Sequence, residues 1–301
     1  MKYMNRLDSM AVFVEVVEMG SLSAASRKLK MPLPTVSRKI SELESHIKTR
    51  LLNRSTRKLT LTDAGKTYLP ACKRILEDVG EAERAASGEY SAPTGELIIT
   101  APIVFGRLHV VPITTEFLKA YPDVHVRLVL GDRSFNLLED HIDLAVRIGE
   151  LPDSNLIATR VGMIRQVVCA SPEYFAKRGA PKRPQDLAKH DCITFAGLMS
   201  PDAWNFKADR SDLTVPIRSR LVVNMAEAAI DAAIRDTGVT RVLSYQIEKA
   251  MQAGSLVVVL KKFEPAPVPV SLVYTGQRLL PLKLRAFLDF ASPRLRAALK
   301  S

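Results

Sequence analysis

The sequence predicts an α+β multidomain chain: a small winged helical unit at the amino terminus, one long linker helix, and a two-lobed α/β domain. Three observations predict it. An amino-terminal stretch combines helical apolar spacing with most of the chain's positive charge, a narrow apolar seam follows from about residue 63 to 87, and beyond residue 95 short apolar runs alternate with helical stretches. With 301 residues, 47% of them hydrophobic, the chain can form two or three cores of ordinary globular composition.

Leu7, Met10, Ala11, Phe13, Val14 and Val17 recur at helical spacing and stop at Gly20, a residue that accepts positive φ at a helix end. Ser21 or Ser23 can cap a second helix, Ala24 to Leu29, and Lys30-Met31-Pro32-Leu33 breaks the chain. Pro34 suits the first turn of a third helix, in which Val36, Ile40, Leu43 and Ile47 form one apolar stripe. The opposite face offers Thr35, Ser37, Arg38, Lys39 and Ser41. Leu51 to Leu61 then alternates basic and apolar residues around Asn53-Arg54-Ser55-Thr56, the pattern of a small β-wing.

Residues 20 to 62 hold ten Lys or Arg against only Glu42 and Glu44, which places +8 of the net +11 in one seventh of the length. So concentrated a field suits a surface that meets a polyanion, and the partner expected is double-stranded DNA. A helix about 10 to 12 Å across fits a major groove about 12 Å wide. Arg38 can fork onto guanine, Thr35 and Ser37 can touch a thymine methyl or a phosphate, and Arg54, Arg57 and Lys58 of the wing can follow the backbone or minor groove. With Ser23, Pro34 and Lys39 these are the candidate DNA-binding residues. Charge and periodicity leave open a solvated basic face on a small helical bundle.

From Asp63 to about Ser87, the residues Leu69, Cys72, Leu76, Val79 and Ala82 or Glu83 fall three and four apart. A stripe this narrow on a helix this long suits a partner helix, and Pro70 should bend it near its first turns. Packing on the helix's own domain is the alternative. Ser87 to Gly95 has the Gly, Pro and Ser of a hinge. Beyond it, strands are expected at Glu96 to Ala101, Val124 to Leu130 and Asp143 to Ile148, with a helix from Gly106 to Tyr121, an order that implies parallel pairing. A second set follows: strands at 166–170, 192–195, 218–223 and 239–243, helices at 172–178 and 226–236. Pro265-Ala266-Pro267-Val268-Pro269 reads as a return crossing between two lobes, before a strand at 270–274 and a helix from Pro281.

Enzymatic motifs are missing from the sequence. The five histidines show no helical pair at metalloprotease spacing, and no G-x-S-x-G elbow, P-loop or G-x-G-x-x-G occurs, so no enzyme, metal or cofactor is expected. Ser45-x-x-Lys48 and Ser55-x-x-Lys58 match a serine-enzyme pattern but fall in the basic segment without its companion motifs. Cys72, Cys169 and Cys192 are odd in number and lack metal spacing, as reduced thiols do. With neither a membrane-spanning apolar run nor a signal-peptide core, a cytoplasmic location is expected.

Gly20-Ser21-Leu22-Ser23-Ala24-Ala25, Pro34-Thr35-Val36-Ser37-Arg38-Lys39-Ile40, Leu43-Glu44, Leu51-Leu52-Asn53-Arg54 and Leu61-Thr62-Asp63-Ala64-Gly65 resemble the winged helix of LysR-type transcriptional regulators. The chain departs from that pattern at Pro32 and Leu33, where the family usually has a capping Ser and a Gln. The resemblance implies a winged helix-turn-helix DNA-binding domain over 1–62, a linker and dimerisation helix with hinge over 63–94, and an effector-binding domain over 95–301. It further implies a lobe one of about 95–164 and 269–301, a lobe two of about 165–268, a homodimer or homotetramer, and RNA polymerase as a partner. A small-molecule effector would bind between the lobes, where helix N-termini at the carboxyl ends of parallel strands attract polar groups. The candidate effector residues there are Thr100, Ala101, Pro102, Ile103, Arg147, Ile148, Gly149, Asn224 and Met225, with Phe195 and Trp204 as an apolar wall. Arg147 points to an anion unless it faces a carboxylate such as Asp143. The alternative reading is a solute-binding protein with a basic docking segment.

Overall fold

A computed structural model describes residues 4–54, 59–87, 92–133, 135–195, 202–208, 211–276 and 280–300. They fall into two compact units, Met1–Ala92 and Pro93–Ser301.

In the first unit, helix α1 (Met4–Glu18) ends before Gly20, whose φ of +63° only a residue without Cβ adopts readily. Helix α2 (Leu22–Lys28) is capped by Ser21, not Ser23: the Ser21 hydroxyl accepts the Ala24 amide at 3.4 Å. Helix α3 (Leu33–Ile47) carries Pro34 in its first turn and closes at Lys48 in a left-handed conformation. Strands β1 (Leu52–Arg54) and β2 (Leu59–Leu61) pair antiparallel, Leu52 opposite Leu61. One oxygen of Glu44 accepts the amides of Leu51 and Leu52 at 2.8 and 3.1 Å, and so ties the hairpin to α3. Helix α4 (Asp63–Ser87) starts against that hairpin: Thr62 caps it by accepting the Gly65 amide at 3.0 Å, and a Cβ on Gly65 would lie 2.2 Å from the Leu51 carbonyl oxygen.

Phe13, Val16, Ala25, Val36, Ile40, Leu43, Leu51 and Cys72 form the buried core of this unit, with Leu69, Ile75 and Leu76 against it. The first half of the apolar seam therefore packs on its own domain. A hydrophobic stripe reports burial and not whose surface buries it; of the seam's residues, Val79, Ala82 and Glu83 lie beyond that core.

The second unit contains two five-stranded sheets. Strand β3 (Gly95–Ala101) leads into helix α5 (Ile103–Phe105), a π-turn (Gly106–Val110) and helix α6 (Val111–Ala120), followed by β4 (Val124–Leu130), β5 (Leu144–Ile148) and β6 (Leu156–Ile164). After the single residue Arg165 come β7 (Gln166–Ala170), α7 (Pro172–Arg178), β8 (Cys192–Phe195), the hairpin β9 (Ala203–Ala208) and β10 (Ser211–Pro216), β11 (Ser219–Val223), α8 (Ala226–Ile234) and β12 (Val239–Leu243). Helix α9 (Glu248–Gln252), β13 (Val257–Val259), β14 (Val268–Thr275) and α10 (Leu282–Ala298) complete it.

The strand orders are β4-β3-β5-β14-β6 and β11-β8-β12-β7-β13. Pairing is parallel at β3 with β4 and β5 and at β8 with β11 and β12. The parallel pairing expected for β3, β4 and β5 is present, while β14 and β7, each antiparallel to both neighbours, are the strands the chain enters on crossing from one sheet to the other. The two crossings are tied together: the Arg165 guanidinium donates to both carboxylate oxygens of Glu264 at 3.2 and 2.9 Å.

Candidate nucleic-acid interface and effector cleft

The exposed surface of α3 begins with Leu33, 42% exposed, and Pro34, and continues through Arg38 and Ser41, with Thr35 and Ser37 half-buried beside them. Ser23 is exposed at the start of α2. The Arg38 Nη1 donates to Glu42 Oε1 at 2.8 Å, one turn along the same exposed face. Exchanging that water-facing partner for a base edge or a phosphate costs little, since such pairs contribute only tenths of a kcal/mol. Arg27, Lys30, Lys48 and Arg50 are also exposed.

Lys39 does not belong to this face. It is buried, 8% exposed, and its ammonium pairs with Asp8 of α1. At 100° per residue, position 39 lies on the arc shared by Val36, Ile40 and Leu43, so the chain draws its stem into the core and satisfies its charge there. The Arg54 side chain, Arg57 and Lys58 lie outside the described residues.

In the second unit, the expected effector residues divide. Thr100 is buried, and its hydroxyl donates to the Val129 carbonyl at 2.9 Å, a bond within the sheet. Ala101 is core, and Pro102 precedes a helix whose Ile103 amide donates to Asp132 Oδ1 at 3.1 Å. Arg147 donates to the Phe135 carbonyl, while Asp143 accepts the Ile98 amide at 2.7 Å; burial lowers the Arg147 guanidinium below its ordinary pKa. Ile148 is half-buried, and Gly149, with φ +116°, donates its amide to the Pro269 carbonyl. Asn224 and Met225 are exposed ahead of α8, and Met225 makes no side-chain cap. Trp204 forms no wall of the cleft: it is fully buried with Phe206, Tyr174 and Leu187 in a separate core of lobe two, under the β9–β10 hairpin. Its alternation with Phe206 and with Leu213 and Val215 was the available signal for that hairpin.

Phe195 does reach the region between the lobes. One apolar cluster joins Val104 and Phe105 of lobe one to Phe195, Ala226, Leu243 and Tyr245 of lobe two. Phe105 meets Tyr245 edge to face at 5.5 Å between centroids, and His109, on the π-turn, lies 4.7 Å from Phe105 and 5.5 Å from Tyr245. His109 Nε2 is buried and has no hydrogen-bond partner among the described residues. Burial lowers its pKa from the ordinary 6.5, with Glu248 opposing, so the ring is neutral at pH 7. Burial likewise raises the Tyr245 hydroxyl, with Asp132 and Glu227 contributing in the same direction. Arg107 bridges to Glu227 across the lobes at 3.4 Å. Sequence reasoning passed over Phe105, Arg107, His109, Glu227 and Tyr245; the i, i+4 spacing of Phe105 and His109 beside a glycine was the one hint.

The three cysteines are buried, and burial pushes their thiols up, to about 11 for Cys72 and about 12 for Cys169 and Cys192. Cys169 and Cys192 lie on the strands flanking β12, roughly 10 Å apart by sheet spacing and beyond disulfide reach. No single described helix is long and apolar enough to cross a membrane.

Comparison with known proteins agrees with this architecture. A family model described as "Bacterial regulatory helix-turn-helix protein, lysR family" matches residues 7–66, and one described as "LysR substrate binding domain" matches residues 91–296. An HTH-type transcriptional regulator of Xanthomonas campestris pv. campestris is 36% identical over 96% of this chain and 85% of its own length. The HTH-type transcriptional activator AaeR of Escherichia coli is 32% identical over 95% and 93%. The structure of CrgA, a LysR-type transcriptional regulator from Neisseria meningitidis, superposes with a TM-score of 0.61 at 31% identity, covering 96% of this chain and 98% of that one. Matched along both of its units, the chain belongs to the LysR family of helix-turn-helix transcriptional regulators and carries that family's effector-binding domain.

Proposed function

We propose that α3 enters the major groove of a dyad-symmetric operator, with Ser23, Pro34, Thr35, Ser37 and Arg38 toward the DNA and Arg54, Arg57 and Lys58 of the wing along its backbone. The exposed Arg38, on the face of α3 opposite the buried Val36, Ile40 and Leu43, is the observation that supports this most directly. A family model for a DNA-binding module over residues 7–66 also disfavours a solute-binding protein whose basic segment merely docks it. The functional division is a DNA-binding domain over 1–62, a linker over 63–94 and an effector domain over 95–301. Pairing through the outer half of α4 and between effector domains would build a homodimer or homotetramer that meets RNA polymerase in the cytoplasm, with no catalytic activity of its own.

The effector site we infer centres on Phe105, His109 and Tyr245, with Asn224 and Met225 at its rim. The helix amides expected to draw an anion already have carboxylates beside them, Asp132 at Ile103 and Glu227 in the first turn of α8. A neutral imidazole and a neutral phenol framed by Asp132, Glu227 and Glu248 favour an uncharged or cationic hydrogen-bonding effector over an anion.

The deciding experiment is operator binding by the Arg38→Ala variant. Affinity should drop by roughly 1 to 3 kcal/mol with relaxed preference at one base position. An equal loss on every sequence would reassign Arg38 to a phosphate.

A further inference from the structure

The end of lobe two opposite Phe195 and Leu243 holds a cavity of about 540 Å³, lined by Tyr174, Lys177, Arg178, Asp191, Arg220 and Asp236. It lies where β8, β11 and β12 begin, whereas the cluster shared by the lobes lies where β8 and β12 end. Its floor is rigid. Tyr174 Oη accepts the Asp191 amide at 3.1 Å, and a Cβ on Gly238 would lie 2.3 Å from the Asp191 carbonyl oxygen, so only glycine lets these two loops meet.

The charges are layered. Asp191 lies beneath, 14% exposed, and its Oδ2 alone receives both Arg178 Nη2 at 3.5 Å and Arg220 Nη1 at 3.0 Å, side chains that are 54% and 63% exposed. Asp236 accepts the Ser171 hydroxyl and Lys177 Nζ, the latter at 3.4 Å. Glu173 hydrogen-bonds Asp236 as well, so the excess of cations lies at Asp191, where two guanidinium groups are held side by side by one oxygen. Each guanidinium has five donors in a fixed fork, of which a single shared oxygen can use few, so donors remain for a ligand.

We propose that this cavity is a second ligand site of the regulator, for a small oxyanion gripped between Arg178 and Arg220 with Lys177 as the third cation. One negative charge neutralises the surplus of the two guanidiniums over Asp191, and two oxygens of one acid match the two forks. The site is independent of the cleft between the lobes and stands or falls without it. Phosphoryl and carboxylate groups share the chemistry required.

Isothermal titration of the full chain at constant ionic strength, with inorganic phosphate, glycerol 3-phosphate and succinate in turn, tests the proposal. Saturable binding is expected for at least one of them, weakened about tenfold or more in Arg178→Gln/Arg220→Gln, as loss of charge-assisted hydrogen bonds requires. Arg220→Gln alone should give a smaller loss in the same direction, and unchanged thermal midpoints would show that the variants remain folded. Binding of the two phosphates alone assigns a phosphoryl group, binding of succinate alone assigns a carboxylate, and binding of all three assigns the shared oxyanion. No saturable binding, or binding undiminished in the double variant because the anion sits on the basic amino-terminal unit, would overturn it.

Discussion

Arg38 and Lys39 are neighbours with opposite fates, and one residue of helical rotation separates them. Arg38 stands in solvent against Glu42, while Lys39 lies under the helix with Asp8. Each cation moved off a phosphate lowers the salt dependence of DNA binding, so Lys39→Ala should leave that slope unchanged. It should instead cost about 1 kcal/mol of stability, through a half-buried pair and a lost aliphatic stem. Salt titration of binding and urea unfolding of the same variant check the two halves; a flatter salt slope would return Lys39 to the DNA. Leu33 is the converse case, an apolar residue left exposed at the start of α3. Leucine at a groove-facing position can touch only a thymine methyl. Leu33→Gln should therefore lose about 1 kcal/mol of preference for a thymine at one operator position and gain polar contacts there, as competition binding with base-substituted duplexes would read. An unaltered base profile would take Leu33 out of the groove.

At the scale of elements, the sequence reports local grammar well and partnership poorly. Helix α7 spans 172–178 as expected because Ser171 and Pro172 open it and Gly179 closes it, and β8 and β12 match because short apolar runs sit between polar turns. The β9–β10 hairpin has a period of two, with Trp204 and Phe206 opposite Val215 and Leu213, yet it is absent from the expected strands because so short an alternation equally suits an apolar wall. The seam on α4 marks burial correctly, but the core that receives Cys72 is set by tertiary packing. Between the lobes, the residues expected from the sequence stand at strand ends and ahead of α8, whereas the clustered aromatic rings lie one turn further on, in the π-turn. Such turns insert a residue and redirect side chains, and here His109 is turned against Phe105 and Tyr245. A testable consequence concerns pH. With a folded pKa below the ordinary 6.5, His109 supports stability that is present above about pH 6.5 and lost as pH falls toward the folded value; His190, also lowered by burial, has the same sign. The thermal midpoint should fall on acidification from about pH 7.5 to about pH 5, and His109→Gln should remove part of that slope while His190 keeps the rest. Identical slopes in variant and wild type would show that the His109 environment does not resist protonation.

For the effector domain as a whole, two ion pairs among the described residues, Arg165 with Glu264 and Arg107 with Glu227, join the lobes at very different levels. Arg165 and Glu264 lie in the two crossings, bonded through both carboxylate oxygens with Glu264 only 12% exposed, whereas Arg107 and Glu227 span the lobes singly at 3.4 Å with Glu227 31% exposed. A ligand shifts lobe geometry only by its differential affinity for two states, so a domain that answers a weak effector needs a stiff axis and a mouth that opens at small cost. Double-mutant cycles by urea unfolding should therefore rank the pairs. The coupling for Arg107→Ala with Glu227→Ala is expected at about 0.2 to 1 kcal/mol, and that for Arg165→Ala with Glu264→Ala at about 1 kcal/mol or more. The inverse ranking would make the mouth the rigid element, and a movement of lobes about the two crossings would then have no hinge to turn on.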